Sequence, residues 1–210
     1  HPHSQIVGMP VLPGQLRARL EEAVRHWGDK GECLYCRSLQ EELHDGTRVI
    51  AENASFAAFV PYAALSPFHI WIFPKRHCAY FGDISDSEVS DLAALLLEVL
   101  ARLYVGLQDP DYNYVIRSLS PQEGAVRYFL WYISLSPRVT TSAGFELGTG
   151  MFINTALPER SAGGTRRWPP GRHRRGTSPP RGRSPRRGRR PRYDRRRPPP
   201  DPAPGRDRDG

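Results

Sequence analysis

The first five residues, His1-Pro2-His3-Ser4-Gln5, set two imidazoles and an amide at alternate positions. In an extended backbone side chains repeat every second residue, so His1, His3 and Gln5 share one face while Pro2 and Ser4 take the other. An imidazole nitrogen can serve as a nucleophile; a glutamine amide can hydrogen-bond an oxygen but cannot act as a general acid or base. The competing explanation is a histidine pair left at a cut end. Against it, Ile6, Val7, Met9, Val11 and Leu12 continue the stretch as an apolar, strand-like run, as expected where a folded element begins.

A second grouping is Cys33-Leu34-Tyr35-Cys36. This spacing serves a redox dithiol, half of a zinc site, or no chemistry at all. Redox pairs favour the start of a helix that follows a strand. These cysteines follow Gly28 and Gly31 and read as a polar turn, which suits a thiolate metal site better. His77, just after the apolar run "IWIFPK", is the best third ligand. Structural zinc sites prefer four ligands, so His44, Cys78 or a water is expected to complete the set, unless the site is degraded. Three cysteines do not make an extracellular disulfide framework.

The elements that must position these groups follow from periodicity. In "GQLRARLEEAVRHW", residues 14–27, Leu16, Leu20, Val24 and Trp27 fall at helical spacing. Ser85 followed by Glu88 has capping-box spacing, and Val89, Leu92, Leu96, Val99, Leu100 and Leu103 carry a long amphipathic helix to about residue 107. In "FHIWIFPKRH", Phe68, Ile70 and Ile72 alternate with His69, Trp71 and Phe73, a strand pattern. Residues 48–51 and 57–61 read as a strand pair, and "YNYVIRSL" and "YFLWYISLSP" as further strands. "AGFELGTGMFIN" reads as a glycine-interrupted edge or binding loop. Strands outnumbering helices, with mostly antiparallel pairing, predict an α+β fold.

The 210 residues carry a net charge of +8, but unevenly. From Arg160 onward there are 18 arginines and 4 aspartates, while the preceding residues are net acidic. Residues 160–210 hold almost no apolar side chains and are dense in proline and glycine, so they are expected to be a disordered basic tail. Such arginine density could bind RNA, DNA or an anionic membrane. Only Trp168 and Tyr193 could stack on bases, however, and the abrupt change after Glu159 also fits an out-of-frame extension; nucleic acid is not the expected partner. The longest apolar run, "LAALLLEVLARLYVGL", is broken by Glu98 and Arg102, so no membrane partner and a cytoplasmic location are expected. A motif at residue 1 without an initiator methionine implies residues upstream.

Taken in order, "HPHSQIVGMPVLP", "CLYC", "PFHIWIFPKRH" and "AGFELGTGMFIN" resemble the galactose-1-phosphate uridylyltransferase family of the histidine-triad superfamily. The resemblance runs from His1 to about Glu159. It implies that residues 1–13 end a truncated N-terminal histidine-triad-like half and that 14–159 form a C-terminal histidine-triad-like domain, an antiparallel sheet with packed helices. It further implies that His3 takes up a uridylyl group, that Gln5 holds the phosphoryl oxygen, and that His1 ligates a zinc whose other ligands lie upstream. Cys33, Cys36 and His77 match a second zinc site found in some members, and Phe145 and Glu146 fall where the hexose is read. The implied partners are UDP-glucose and galactose 1-phosphate, with a homodimeric parent. Two positions depart from the pattern: Leu130 stands where a zinc-ligating histidine is expected, and Ser134 where a glutamate is common. Histidine-triad hydrolases carry histidine at the position of Gln5, so the amide favours transfer over hydrolysis. An ADP-sugar phosphorylase is the alternative with the same covalent histidine, and a nucleic-acid-binding module led by the tail is the non-enzymatic one.

Overall fold

The computed structural model describes residues 3–6, 11, 13–121, 126–141 and 143–170. Their strands are β1 (Val49–Glu52), β2 (Phe56–Phe59), β3 (Ile70–Pro74), β4 (Tyr112–Arg117) and β5 (Tyr132–Pro137). Their α-helices are α1 (Gly14–Lys30), α2 (Leu34–Asp45), α3 (Asp86–Leu107), α4 (Gly144–Thr149) and α5 (Pro158–Arg167). Helices therefore equal strands among the described residues, against the expected excess of strands. The five strands make one sheet in the order β1-β2-β3-β5-β4, and every pairing is antiparallel. This is an α+β architecture.

The β1–β2 hairpin turns on Asn53, whose side-chain oxygen accepts from Ser55 N at 3.2 Å and Phe56 N at 2.9 Å. Alternation along each strand then divides the core between the two faces of the sheet. One set of residues, Phe56, Ala58, Ile70, Ile72, Ile133 and Leu135, packs with Leu92, Leu95, Val99 and Leu103 of α3 and Ala162 of α5. The other set, Ala57, Phe59, Phe73 and Tyr132, packs with Ala23 of α1, with Cys33 just before α2, and with Tyr35 and Leu39 of α2. Helices thus cover both faces, which is why all four residues of β2 are buried. β4 is an edge strand, and Tyr112, Tyr114, Val115 and Ile116 are exposed on it.

α3 starts as its sequence predicts. Ser85 Oγ accepts from Glu88 N at 3.3 Å, and the Glu88 carboxylate accepts from Ser85 N at 2.9 Å. Arg76 grips the same carboxylate through two 2.8 Å bonds, and with the Ser85 N–H holds it at about 2, well below the ordinary range. α1 runs three residues past its expected end and stops at Gly31, whose φ of 69° suits a residue without Cβ.

The expected tail boundary at residue 160 is too early. Pro158 opens α5 at a favoured first-turn position, and Ser161, Ala162 and Thr165 are buried against β1 and α3. Arg102 of α3 ties down the far end, donating to Arg166 O at 2.7 Å and Trp168 O at 2.9 Å. Trp168 packs on Phe68 with ring centroids 5.3 Å apart. The run "RSAGGTRR" is a poor helix former, so tertiary contacts decide this element. Residues 171–210, on which the disordered-tail expectation mainly falls, lie outside the described residues.

Two glycines make this packing testable. A Cβ built at Gly106 on α3 would overlap the Trp168 indole, whereas at Gly163 on α5 it would meet only Arg166 Nη2 at 3.9 Å. Gly106→Ala is therefore expected to destabilise by about 1–3 kcal/mol despite alanine's better helix propensity. Gly163→Ala should stabilise by up to about 1 kcal/mol. Denaturant titrations of the two variants check this, and equal effects would show that Trp168 does not seat on α3.

Candidate functional site

Three of the expected ligands come together. Cys33 is the residue before α2, Cys36 lies in the helix's first turn, and His77 follows β3. Their ligand atoms all fall within 4.8 Å of one another, and Cys36 Sγ is 3.1 Å from His77 Nδ1. Zinc–sulfur and zinc–nitrogen bonds of about 2.3 and 2.0 Å in a tetrahedron place neighbouring donors roughly 3.5 Å apart, so the grouping is compact enough for one ion. His77 Nε2 lies 3.1 Å from Val126 O. That carbonyl accepts the Nε2 proton, which leaves Nδ1 as the free lone pair facing the sulfurs. The donor chemistry also fits. The hydrogen bond from Cys36, against the opposing effect of burial, draws the Cys33 thiol down to about 6, with backbone N–H groups and His77 adding to the shift. The same hydrogen bond and burial push Cys36 up. One thiolate forms readily, and the second needs a cation beside it.

The pair does not sit in a polar turn as its sequence suggests. Gly31 turns the chain directly from α1 into α2, and the cysteines occupy the start of that helix. They follow a helix rather than a strand, so only half of the redox context is present. The missed signal for α2 was Tyr35, Leu39 and Leu43 at four-residue spacing.

Neither candidate for a fourth protein ligand joins the cluster. His44 lies at the opposite end of α2, about 12 Å along the axis from Cys36 at 1.5 Å per residue. Cys78 is buried and its thiol donates to Tyr80 O at 3.1 Å. Leu130 is fully buried in the same apolar cluster as Cys33. The chain is thus expected to bind at most about one zinc, weakly, with Cys36→Ser removing it. Leu130→His should make stability metal-dependent. Without metal the variant buries an extra imidazole and loses stability, and with zinc it should regain it and hold the ion more tightly. Melting curves with chelator and with zinc test this; a variant indifferent to metal would show that Leu130 lies off the coordination sphere.

The amino-terminal motif is only partly described, and His1 lies outside the described residues. His3 and Gln5 are exposed, in a segment that forms no regular element. Ser4 Oγ lies 3.3 Å from Tyr114 Oη on the β4 edge, which sets the motif beside that strand. Ile6 is fully exposed rather than packed as an apolar strand residue. Val7, Met9 and Leu12 of the expected run lie outside the described residues.

Phe145 and Glu146 fall on α4, a six-residue helix where a loop or edge strand was expected. Glu146 Oε2 accepts from Ala143 N at 2.9 Å and caps the helix, and its carboxyl is lowered by its own backbone N–H and that of Ala143. Phe145 is about half exposed, and Leu147, Met151, Phe152 and Ile153 also present apolar surface.

Sequence reasoning passed over one further polar grouping. His69 is 1 % exposed, with its Nδ1 accepting from Leu65 N at 3.2 Å and its Nε2 2.8 Å from Ser134 Oγ. Arg19 of α1 reaches the same face of the sheet, donating to Tyr132 Oη at 3.3 Å with its guanidinium 6.0 Å from the Trp71 ring centroid. Burial first, and then the charges of Arg19 and Arg117, depress His69 to about 4. It is therefore a neutral imidazole at physiological pH. Its signal was present in "FHIWIF", but the arginines come from elements far away in sequence.

An antiparallel sheet covered by helices on both faces, with a Cys2His cluster at one helix start and a His-x-His-x-Gln segment beside its edge, defines an α+β domain of the histidine-triad-related kind. The family described as galactose-1-phosphate uridyl transferase, C-terminal domain, matches residues 19–124. The chain belongs to that family. It is 35% identical over 161 residues to the ADP-glucose phosphorylase of Arabidopsis thaliana, covering 76% of this chain and 44% of that protein. It is 29% identical over 171 residues to the galactose-1-phosphate uridylyltransferase of Thermotoga maritima, covering 77% and 53%. A solved uridylyltransferase structure superposes with a TM-score of 0.72 at 30% identity, over 79% of this chain and 54% of that one. The chain thus spans about half the length of these relatives. Among the described residues no helix is long and apolar enough to cross a membrane.

Proposed function

We propose that this chain is the C-terminal part of a nucleotidyltransferase in which His3 carries the nucleotidyl group. His3 Nε2 attacks the α-phosphorus of UDP-glucose and expels glucose 1-phosphate, and a phosphate oxygen of galactose 1-phosphate then attacks the uridylyl-histidine to give UDP-galactose. The acceptor phosphate is already anionic at neutral pH, so the second step needs little base catalysis. Gln5 orients a phosphoryl oxygen without offering a proton, which lets the intermediate persist until the acceptor arrives. The observation that carries this reading is the His3-Ser4-Gln5 segment placed beside the sheet edge through Ser4 and Tyr114, in a chain of this family. The parent is read as a homodimer, and His1 as a ligand of a zinc shared with upstream residues.

A second reading, adenylyl transfer from an ADP-sugar to inorganic phosphate, draws support from the 35% identity to the Arabidopsis ADP-glucose phosphorylase. It keeps His3 in the same role and changes the base and the acceptor. Both are tested in a chimera that joins this chain to the part of the T. maritima relative it does not cover. UDP-glucose and ADP-glucose carrying a labelled α-phosphate should be offered separately. Label is expected on His3 and is expected to vanish in His3→Asn. Preferential labelling from ADP-glucose would select the second reading, and label retained in His3→Asn would remove both. This chain alone should be nearly inactive.

A further inference from the structure

We propose that Arg19, Arg117, Tyr132 and Ser134 form a binding site for a phosphate-type oxyanion on the sheet face that α1 and α2 cover. The inference does not depend on the role proposed for His3.

The argument rests on the direction of every hydrogen bond in the group. Leu65 N donates to His69 Nδ1, so that nitrogen carries no proton, and a neutral imidazole must then hold its proton on Nε2. His69 Nε2 accordingly donates to Ser134 Oγ at 2.8 Å. Having accepted there, the Ser134 hydroxyl is left with its own proton to donate. The same logic holds one register step along β5. Tyr132 Oη accepts from Arg19 Nη1 at 3.3 Å, so its hydroxyl proton is also left over. Arg117 sits directly opposite Tyr132 in the β4–β5 pair, and its Nε is buried with no hydrogen-bond partner among the described residues. The leftover groups are all donors.

Charge agrees with this polarity. Arg19 and Arg117 both act on His69 and on Tyr132, and among the described residues no carboxylate figures in the charges that do so. Neither arginine belongs to an ion pair among the described residues, whereas Arg48, Arg76 and Arg102 do. Two guanidiniums that act on the same groups with no ion-pair partner among the described residues raise the local positive potential, and a buried unpaired N–H costs stability. A bound dianion removes both penalties, and the planar guanidinium fork matches the geometry of phosphate oxygens. Arg19 and Arg117 are partly exposed while His69 is closed over, so an anion can reach the arginines from solvent with the imidazole beneath as a fixed donor relay.

Phosphate chemistry could arrive as free orthophosphate or as the monoester of a sugar phosphate, and separate titrations distinguish them. The whole chain, labelled with 15N-histidine, should be titrated at constant ionic strength with sodium phosphate, with glucose 1-phosphate and with chloride, while the His69 ring resonances are followed. Arginines beyond residue 170 also attract phosphate, and the Arg117→Gln and Ser134→Glu variants, which keep those arginines, separate that binding from the site. We expect a saturable His69 shift with either phosphate and none with chloride, the tighter of the two naming the source. Arg117→Gln should weaken it by roughly tenfold or more, the loss expected for a charge-assisted bond. Ser134→Glu, which supplies an internal carboxylate to the two arginines, should abolish it. A shift that grows linearly without saturating, or one unchanged in both variants, overturns the proposal. If Arg117→Gln does not fold, Ser134→Glu decides alone, since it should tighten the fold while removing the anion.

Discussion

Glu146→Gln is expected to slow transfer to the hexose 1-phosphate by about 10- to 1000-fold while nucleotidylation of His3 stays nearly unchanged, the range expected when a charged hydrogen bond to a substrate hydroxyl is lost. The structure dictates the choice of glutamine. Glu146 caps α4 by accepting from Ala143 N, so alanine would disturb both the helix end and any sugar contact. Glutamine keeps the cap, because a capping box accepts either residue at this position, and removes only the charge. Phe145 is exposed on α4 and Glu146 partly so, which leaves them able to meet a sugar ring with a carboxylate on its hydroxyls and an aromatic on its apolar face. The two half-reactions should be timed separately in the chimera, the first with a uridylyl donor that lacks the hexose. A similar slowing of both would mean that Glu146 serves the fold or the nucleotide, and the sugar-reading role would fall.

What could be foreseen depended on how local the cause was. α3 was legible from end to end because its cap, Ser85 with Glu88, and its apolar stripe are written within one segment. β3 was legible because Ile70 and Ile72 alternate with Trp71 and Phe73, and the structure sends the two sets into different halves of the core. α5 was not, since its paired glycines disfavour a helix, and tertiary contacts hold it: Arg48 on Glu159, Arg166 on the carbonyls of Gly46, Thr47 and Val49, Arg102 on Arg166 O, and the packing on β1 and α3. The Cys2His cluster was legible in its residues but not in its setting. Cys33, Cys36 and His77 gather as their types suggest, yet nothing in "GECLYC" announces that the cysteines open a helix. The group around His69 was illegible for the opposite reason. Arg19, Arg117, Tyr132 and Ser134 stand on three elements, and only the β4–β5 register and the packing of α1 bring them to one face.

The stability of the chain is expected to fall by about 3 kcal/mol between pH 6.5 and pH 4 through His69 alone, roughly a hundredfold or more in the folding equilibrium. The sign follows from the two states. In the unfolded chain the imidazole takes a proton near its ordinary 6.5, while in the fold burial and the charges of Arg19 and Arg117 hold it down at about 4. Between those values the unfolded chain binds the extra proton, so acid favours unfolding. The contribution is fully present above about 6.5 and is lost as the pH approaches 4. The groups facing His69 support this assignment. Arg19 comes from α1, Arg117 from β4 and Ser134 from β5, with Trp71 of β3 set edge-on at 6.1 Å. None can supply the negative charge that would stabilise an imidazolium. His69→Gln is the informative variant, because its amide can accept from Leu65 N and donate to Ser134 without titrating. Urea midpoints for the two proteins at half-unit intervals from pH 4.5 to 7.5 should converge toward acid, the parent declining steeply and the variant nearly flat. Parallel slopes across that interval would show that other groups govern the acid transition. Phosphate should reduce the parent's slope, since an anion held by Arg19, Arg117 and Ser134 offsets the guanidinium charges that add to burial in keeping His69 neutral.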